Sequence, residues 1–524
     1  MEFYGRQDSI SLLNKRVDGF SNGYRQNIAI LGVEFIGKTH LIQYWLSQYC
    51  NNFIVPIYLE VKPQEIHLFV EQFIGRFLFF FLKNSQIILK DDIDFLIAHS
   101  EKYIPKTITA IKQILSEKKN KKLGAVFTKL LGLAELFYLE TGKRCIIIFD
   151  EFHLFNELIT KDIYADWRKK IMLGKNTMYV LLSSKKQRAL EILSSDIALL
   201  FGNFEKIELQ PFDTKTAQAL AGDRLKDLGV PQSIIDFIIS FSAHKPFYLN
   251  TVCTAFADYH SKNASCTPTI DTLIVSLEDT FLAAWGILNR HFSCVIDTAA
   301  QQLSAPGVTK ILIGLSSGMS RIHQIAHLSA KTKKEAGALL TQLCALDLVA
   351  KNADSYCLTD KLFGFWLRCI YAQQLHNFSA DPAKQNAAFK KDMENLYKEY
   401  YDAQNTAVAQ RIMELFSQFS NEAVEMHNKC VRLHHFKEVK LVNIHGKKMK
   451  EGILARTPSS LWITGFEEER VLEEDMIDFI NACKRFKYAK CQKRIFIVFD
   501  EIDANANLIA KEGKIAIWDM AFVN

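Results

Sequence analysis

Eight residues, Gly32-Val33-Glu34-Phe35-Ile36-Gly37-Lys38-Thr39, constrain this chain more than any other stretch. They fit the pattern Gly-x-x-x-x-Gly-Lys-[Ser/Thr], in which a glycine-rich turn lets backbone N–H groups wrap around phosphate oxygens. The flanks agree with it. The apolar run Asn27–Leu31 predicts a strand before the loop, and His40–Cys50 predicts a helix after it, so a helix N-terminus faces the bound anion. A chance match in a chain of this length is on the order of 2%. The spacing therefore assigns Gly32, Val33, Glu34, Phe35, Ile36, Gly37, Lys38, Thr39 and His40 to a nucleotide's phosphates. In that pattern Lys38 reaches the β- and γ-phosphates and the Thr39 hydroxyl ligates Mg²⁺.

A second segment complements the first. Cys145-Ile146-Ile147-Ile148-Phe149-Asp150-Glu151 is an apolar strand ending in two carboxylates. Asp150 at the strand tip is a second expected holder of Mg²⁺, and Glu151 is expected to polarise a water for attack on the γ-phosphate. A further apolar run, Met178–Leu182, ends in Ser183-Ser184. A polar side chain there, with Ser183 as the candidate, either senses the γ-phosphate or orients the water, or only opens the next turn. The expected catalytic set is thus Lys38, Glu151 and Ser183, and the expected metal set is Thr39 and Asp150.

The runs Asn27–Gly32, Phe53–Glu60, Arg144–Asp150 and Met178–Ser183 are dense in Ile, Val, Leu and Phe, as expected of strands buried on both faces of a sheet. Helical patterns such as Lys38–Cys50 and Ala125–Thr141 separate them, which predicts a parallel α/β sheet. After Pro211 the pattern turns helical over 214–290. Three short helices and two short strands (Asp347–Lys351 and Tyr356–Thr359) follow in 295–360, the order of a winged helix. Residues 375–430 read as a helical connection, and the last hundred return to mixed α/β. The expected fold is α/β: a P-loop parallel sheet with a helical lid, then a winged helix and a small α/β C-terminal domain. The corresponding domains are 1–212, 213–290, 291–372, 373–414 and 415–524.

Composition excludes some classes. With 49% hydrophobic and 23% charged residues over 524, the chain is neither disordered nor of low complexity. The apolar-looking stretch Leu68–Leu82 is broken by Glu71, Gln72 and Arg76 and is too short to cross a bilayer. No basic segment followed by an apolar run opens the sequence, so a cytoplasmic location is expected. The eleven cysteines show no Cys-x-x-Cys pair and read as reduced thiols. A net charge of +6 permits nucleic-acid binding without arguing for it.

Phe3-Tyr4-Gly5-Arg6-Gln7, the phosphate loop, the Asp150-Glu151 strand and His244-Lys245-Pro246-Phe247-Tyr248-Leu249 occur in the order found in archaeal-type ATPases. Over about residues 1–370 the chain resembles that family, part of the STAND group of signalling ATPases related to AAA+ proteins. The resemblance implies an Mg-dependent ATPase in which Gly5, Arg6 and Pro246 border the adenine. It also implies an Arg after the glycine of Phe201-Gly202-Asn203, where this chain has Asn203. Slow or partner-dependent turnover is the corresponding expectation.

In the winged helix, Ser320–Leu328 and Thr332–Leu346 are the expected second and third helices. Lys331, Lys333 and Lys334 open the third, where a DNA-binding helix would meet phosphates. Such lysines also suit a solvated face or a protein partner. The C-terminal order resembles the Mrr-type restriction-endonuclease fold, but its expected metal strand, Leu461–Gly465, carries no acid and no Glu-x-Lys. Glu467, Glu468 and Glu469 fall after it, in an expected loop. An inactive nuclease-like domain is the reading, with a working DNA-processing nuclease as the lesser alternative. Segment 429–456 has eight Lys/Arg against Glu438 and Glu451. It and the winged helix are the candidate contacts to double-stranded DNA, with a protein partner or a homo-oligomer as the other partner class.

Overall fold

The computed structural model describes all residues except 1–2, 52, 84–88, 118–122, 156–162, 198–203, 264–265, 376–380, 420, 427–428, 445–450, 458–459, 486–491, 500 and 520–524. Two compact units are present. The first is Met1–Ala299 with Thr341–Leu348 and Thr359–Leu362, and the second is Ala300–Leu340, Val349–Leu358 and Phe363–Asn524.

Among the described residues, the first unit is built on strands β1 (Ile28–Leu31), β2 (Ile54–Glu60), β3 (Arg144–Asp150), β4 (Thr177–Ser183) and β5 (Glu205–Glu208). All pairings are parallel and the order is β2-β3-β4-β1-β5. Successive side chains on a strand point to opposite faces, which explains why these strands are apolar throughout. Cys145, Ile147 and Phe149 pack with the helices Ile66–Leu82, Pro105–Glu117 and Leu123–Thr141. Ile146 and Ile148 pack on the opposite face with Leu13, Val17 and Phe20 of the helix Gln7–Ser21 and with Leu41, Ile42 and Trp45 of Lys38–Gln48. The stretch Leu68–Leu82 is therefore core: Phe69, Phe73 and Phe77 are each at most 1% exposed. Burying one such side chain is worth about 1.5–3 kcal/mol.

Sheet edge β5 escaped the sequence reading because Glu205, Lys206 and Glu208 surround a single apolar Ile207. An edge strand needs only one buried face, and charge protects it from further pairing. Beyond it, the helices Thr214–Leu225, Gln232–Phe241, Pro246–Lys262 and Ile270–Phe281 fill the stretch expected to be helical.

In the second unit, the helices Val308–Ser316 and Ile322–Leu328 precede the helix Lys333–Ala345, whose last turn falls in the first unit's share of the chain. The antiparallel strands β6 (Val349–Asn352) and β7 (Ser355–Leu358) follow. Thr332 starts the third helix by reciprocal bonds: its N–H donates to Glu335 Oε2 (2.8 Å) and its Oγ1 accepts from the Glu335 N–H (3.2 Å). Thr332 and Glu335 are thus engaged in capping, while Lys333 and Lys334 stand exposed.

The expected helical connection is shorter than predicted. The helices Pro382–Asn405 and Val408–Ser417 are followed by strands β8 (Glu422–Met426) and β9 (Lys429–Leu433), a separate antiparallel pair. Strands β10 (Glu438–Asn443), β11 (Glu451–Arg456), β12 (Leu461–Glu467), β13 (Gln492–Val498) and β14 (Ala516–Asp519) then form a mixed sheet in that order. Leu461 and Ile463 pack with the helices Glu473–Arg485 and Ala504–Glu512, and Trp462 packs with Ile412 and Phe416. Glu467 is the last residue of β12 and not a loop residue, because parallel pairing with Val498 extends the strand. Arg432, Lys437, Lys440 and Arg456 of the basic segment are exposed, and Lys440 pairs with Glu438 at 2.9 Å.

Candidate functional site

The loop between β1 and the helix Lys38–Gln48 is shaped by two glycines. A Cβ on Gly32 would lie 2.9 Å from Ile36 Cγ2 and 3.0 Å from the Leu209 carbonyl oxygen. Gly37 has φ +96°, a backbone region that a side chain disfavours. Phe35 adopts φ 61° without being glycine. Lys38 is 5% exposed and its Nζ donates to the Gly32 and Val33 carbonyls, both at 3.0 Å. Burial holds its ammonium below the usual lysine range, against the pull of Glu151 and Asp150.

Strand order decides what faces this loop. With β4 between β1 and β3, the ends of all three strands open on the same side of the sheet. Thr39 Oγ1 donates to Asp150 Oδ2 at 2.5 Å, and Tyr58 OH on β2 donates to the same oxygen at 2.9 Å. Asp150 is 1% exposed, and its Oδ1 has no hydrogen-bond partner among the described residues. A hydroxyl beside a buried carboxylate with an oxygen to spare is a hard-oxygen donor set that fits Mg²⁺.

At Glu151 the chain leaves the strand with φ 55° and ψ 42°. Its Oε2 accepts from the Ser184 N–H (2.9 Å) and the Ser184 hydroxyl (2.8 Å), and His153 Nδ1 lies 3.3 Å away. Burial raises the Glu151 carboxyl above its ordinary value, while Lys38 and the Ser184 bonds oppose that rise. Burial, with Lys185, Lys38 and Arg188 nearby, pushes His153 down to about 4. Ser183 is fully buried. Its Oγ lies 2.9 Å from His153 Nδ1 and accepts from the Lys185 N–H at 3.1 Å.

No protein-family model matches the chain, and no curated protein matches it. Among solved structures, it is similar to the Walker-type ATPase of Pyrococcus abyssi (TM-score 0.46, 17% identity, 70% of this chain and 96% of that one). It is also similar to the Aeropyrum pernix ORC2 protein solved with ADPNP and ADP (TM-score 0.44, 10% identity, 75% and 95%). A third is the Thermotoga maritima RuvB Holliday junction branch migration motor (TM-score 0.33, 12% identity, 69% and 94%). The strand order and the loop on this chain's own sheet define a P-loop α/β fold.

The remaining predicted residues border the loop. Arg6 Nη2 donates to the Ile36 carbonyl at 3.3 Å, with its guanidinium 5.0 Å from the centre of the Phe212 ring. Gly5 has φ +63°, and a Cβ there would meet Thr216 Cγ2 at 2.9 Å. Pro246 opens the helix Pro246–Lys262, where its missing N–H is no loss. The next residue, Phe247, stacks on Phe35 of the loop at 4.3 Å, with His291 edge-on to Phe35 at 4.6 Å. Beside this cluster Lys245 Nζ pairs with Asp360 Oδ2 at 2.5 Å, and Tyr248 OH donates to the same oxygen at 2.7 Å. His40 is exposed, its ring 5.4 Å from that of Phe3. Asn203 lies outside the described residues.

Sequence reasoning missed Tyr58, His153, Ser184 and Lys185. Tyr58 sits two residues before the end of β2 and carried no motif. The other three lie within two residues of positions already singled out, at the ends of β3 and β4, and that proximity was the available signal. Among the described residues, no cluster of three or more His, Cys, Asp or Glu forms a further metal site, and no helix is long and apolar enough to cross a membrane.

Proposed function

We propose that this chain is an Mg-dependent ATPase of the AAA+-like STAND type. The observation that carries this is the Thr39–Asp150 contact at 2.5 Å, which puts the loop hydroxyl and the strand-end carboxylate at one point with Lys38 and Glu151 beside it. Loop N–H groups and Lys38 bind the phosphates. Thr39 and Asp150 would hold the Mg²⁺, whose charge neutralises phosphate oxygens when bound. Glu151 orients a water and takes its proton. Gly5, Arg6 and Pro246 border the base, an assignment supported by the family resemblance and by the Arg6–Ile36 bond. Nucleotide-driven closure of the helices after Phe212 is the switch, transmitted to the winged helix and the nuclease-like C-terminal domain. That domain serves without a metal site of its own.

The favoured partners are double-stranded DNA, met through the lysines that open Lys333–Ala345 and through segment 429–456, or a protein or second copy of the chain. A cytoplasmic location goes with this reading. A non-hydrolysing ATP-bound interaction protein is the alternative, favoured by Asn203 where the family carries Arg. Phosphate release with Mg·ATP, with and without double-stranded DNA, compares wild type with Glu151→Gln. Turnover lost in the variant supports the ATPase. Tight ATP retention with no phosphate release supports the alternative.

A further inference from the structure

Glu151 is poorly placed by its own backbone. The alternation of β3 ends at Asp150, and the left-handed conformation of Glu151 swings its side chain out of strand register. A glutamate has three side-chain torsions, and fixing them costs conformational entropy. Something else must hold the carboxylate, and one residue does so twice. The Ser184 N–H and Ser184 Oγ–H both donate to Oε2, at 2.9 and 2.8 Å. Both bonds fall on the same oxygen.

Resting on the ATPase reading above, we infer that Ser184 is the positioning residue for Glu151, clamping Oε2 so that Oε1 accepts the proton of the attacking water. In the step it serves, the water oxygen bonds to the terminal phosphorus as the bond from that phosphorus to the bridging oxygen breaks. ADP leaves with the electron pair, and Glu151 Oε1 takes the water's proton. Ser184 touches neither water nor phosphate in this scheme and acts only through Glu151.

The arrangement separates two adjacent serines. Ser183 turns inward to His153 and to the Lys185 backbone and builds the turn. Ser184, one residue on and half-buried, turns the other way onto Glu151. The charged and titratable groups that face Glu151 are Lys38 from the loop helix, Asp150 on its own strand and His153 on the following turn, with Lys185 beyond His153. Burial and the nearby cations favour the neutral form of His153.

A hydrogen bond donated to a carboxylate favours its charged form. Ser184→Ala keeps the N–H bond and removes the hydroxyl bond. Turnover should fall about tenfold with KM for ATP unchanged, and the acid limb of the pH–rate profile should move to higher pH. Ser184→Thr restores both, because it keeps the hydroxyl. Ser184→Cys, close in size but a weak donor, should behave like alanine and shows that packing is not the cause. ATP affinity equal to wild type checks that each variant is folded. If Glu151→Gln is inactive while Ser184→Ala keeps the wild-type rate and acid limb, this assignment alone is overturned. If wild type itself binds ATP without releasing phosphate, hydrolysis and this assignment fall together.

Discussion

Thr39 and Asp150 are separated by 111 positions in the chain, and their side chains meet at 2.5 Å. Thr39 is fixed by the first turn of the helix after the loop. Asp150 is fixed by the length of β3, whose register with β2 ends at the pair Glu60 and Asp150. The expected outcome of Asp150→Asn is a fold that survives and an ATP affinity that no longer rises with Mg²⁺, measured by calorimetric titration with and without the cation.

Lys38 is almost wholly buried and donates to two loop carbonyls. Lys38→Ala should abolish ATP binding, with an expected loss of at least 100-fold on the scale of a buried charged contact. Equilibrium binding of a fluorescent ATP analogue measures it. Binding within tenfold of wild type would contradict the loop assignment.

Glu151→Gln keeps the shape of the side chain and its bonds from Ser184 but cannot take a proton. Turnover should fall about 10²–10⁴-fold with ATP affinity retained. The raised carboxyl value of Glu151 places the acid limb of turnover above the ordinary glutamate range, because the carboxylate must be charged to act. A pH–rate profile locates it.

His153 is held neutral, so acid must charge it before or during unfolding. Its value in the folded state is about 4 against an ordinary 6.5. The unfolded state therefore binds the proton first as the pH falls. Stability from this group is fully present above about pH 6.5 and lost as the pH drops towards 4, amounting to about 3 kcal/mol. Urea denaturation at pH 7.5 and 4.5 should show that loss in wild type and a smaller one in His153→Gln.

Lys245 and Asp360 form an ion pair whose side chains are 9% and 18% exposed. Asp360→Ala leaves a buried ammonium uncompensated and should destabilise the first unit by about 3–5 kcal/mol. Lys245→Met combined with Asp360→Leu removes both charges and should recover most of that loss. Thermal or chemical denaturation of the single and double variants settles the comparison.

The sheet and the phosphate loop were legible because they rest on local signals. Four of the five core strands are unbroken apolar runs, and Gly32, Gly37, Lys38 and Thr39 stand at fixed spacing. β5 was not legible, since Glu205-Lys206-Ile207-Glu208 at a sheet edge looks like loop. β8 was hidden by the polar helix before it, whereas β9 opens the basic segment whose interleaved apolar residues suggest strands. In the site, Asp150 and Glu151 could be read from a strand ending in acids. The roles of Ser184 and His153 could not, because they depend on which way each side chain leaves a turn. Ser183 and Ser184 are chemically identical in sequence, and only the backbone at the end of β4 tells them apart.

The first unit takes Thr341–Leu348 and Thr359–Leu362 from far along the chain, and Asp360 lies in the second of these pieces. A gene fragment stopping at Ala299 would encode the entire phosphate loop and every strand of its sheet, yet omit the carboxylate that compensates Lys245. The smallest portion that can be excised, swapped or inherited as a stable module is consequently longer than the portion that holds the phosphate loop and its sheet. Recombination inside residues 300–360 would strip Lys245 of its counter-ion, although that stretch contributes no phosphate-loop residue.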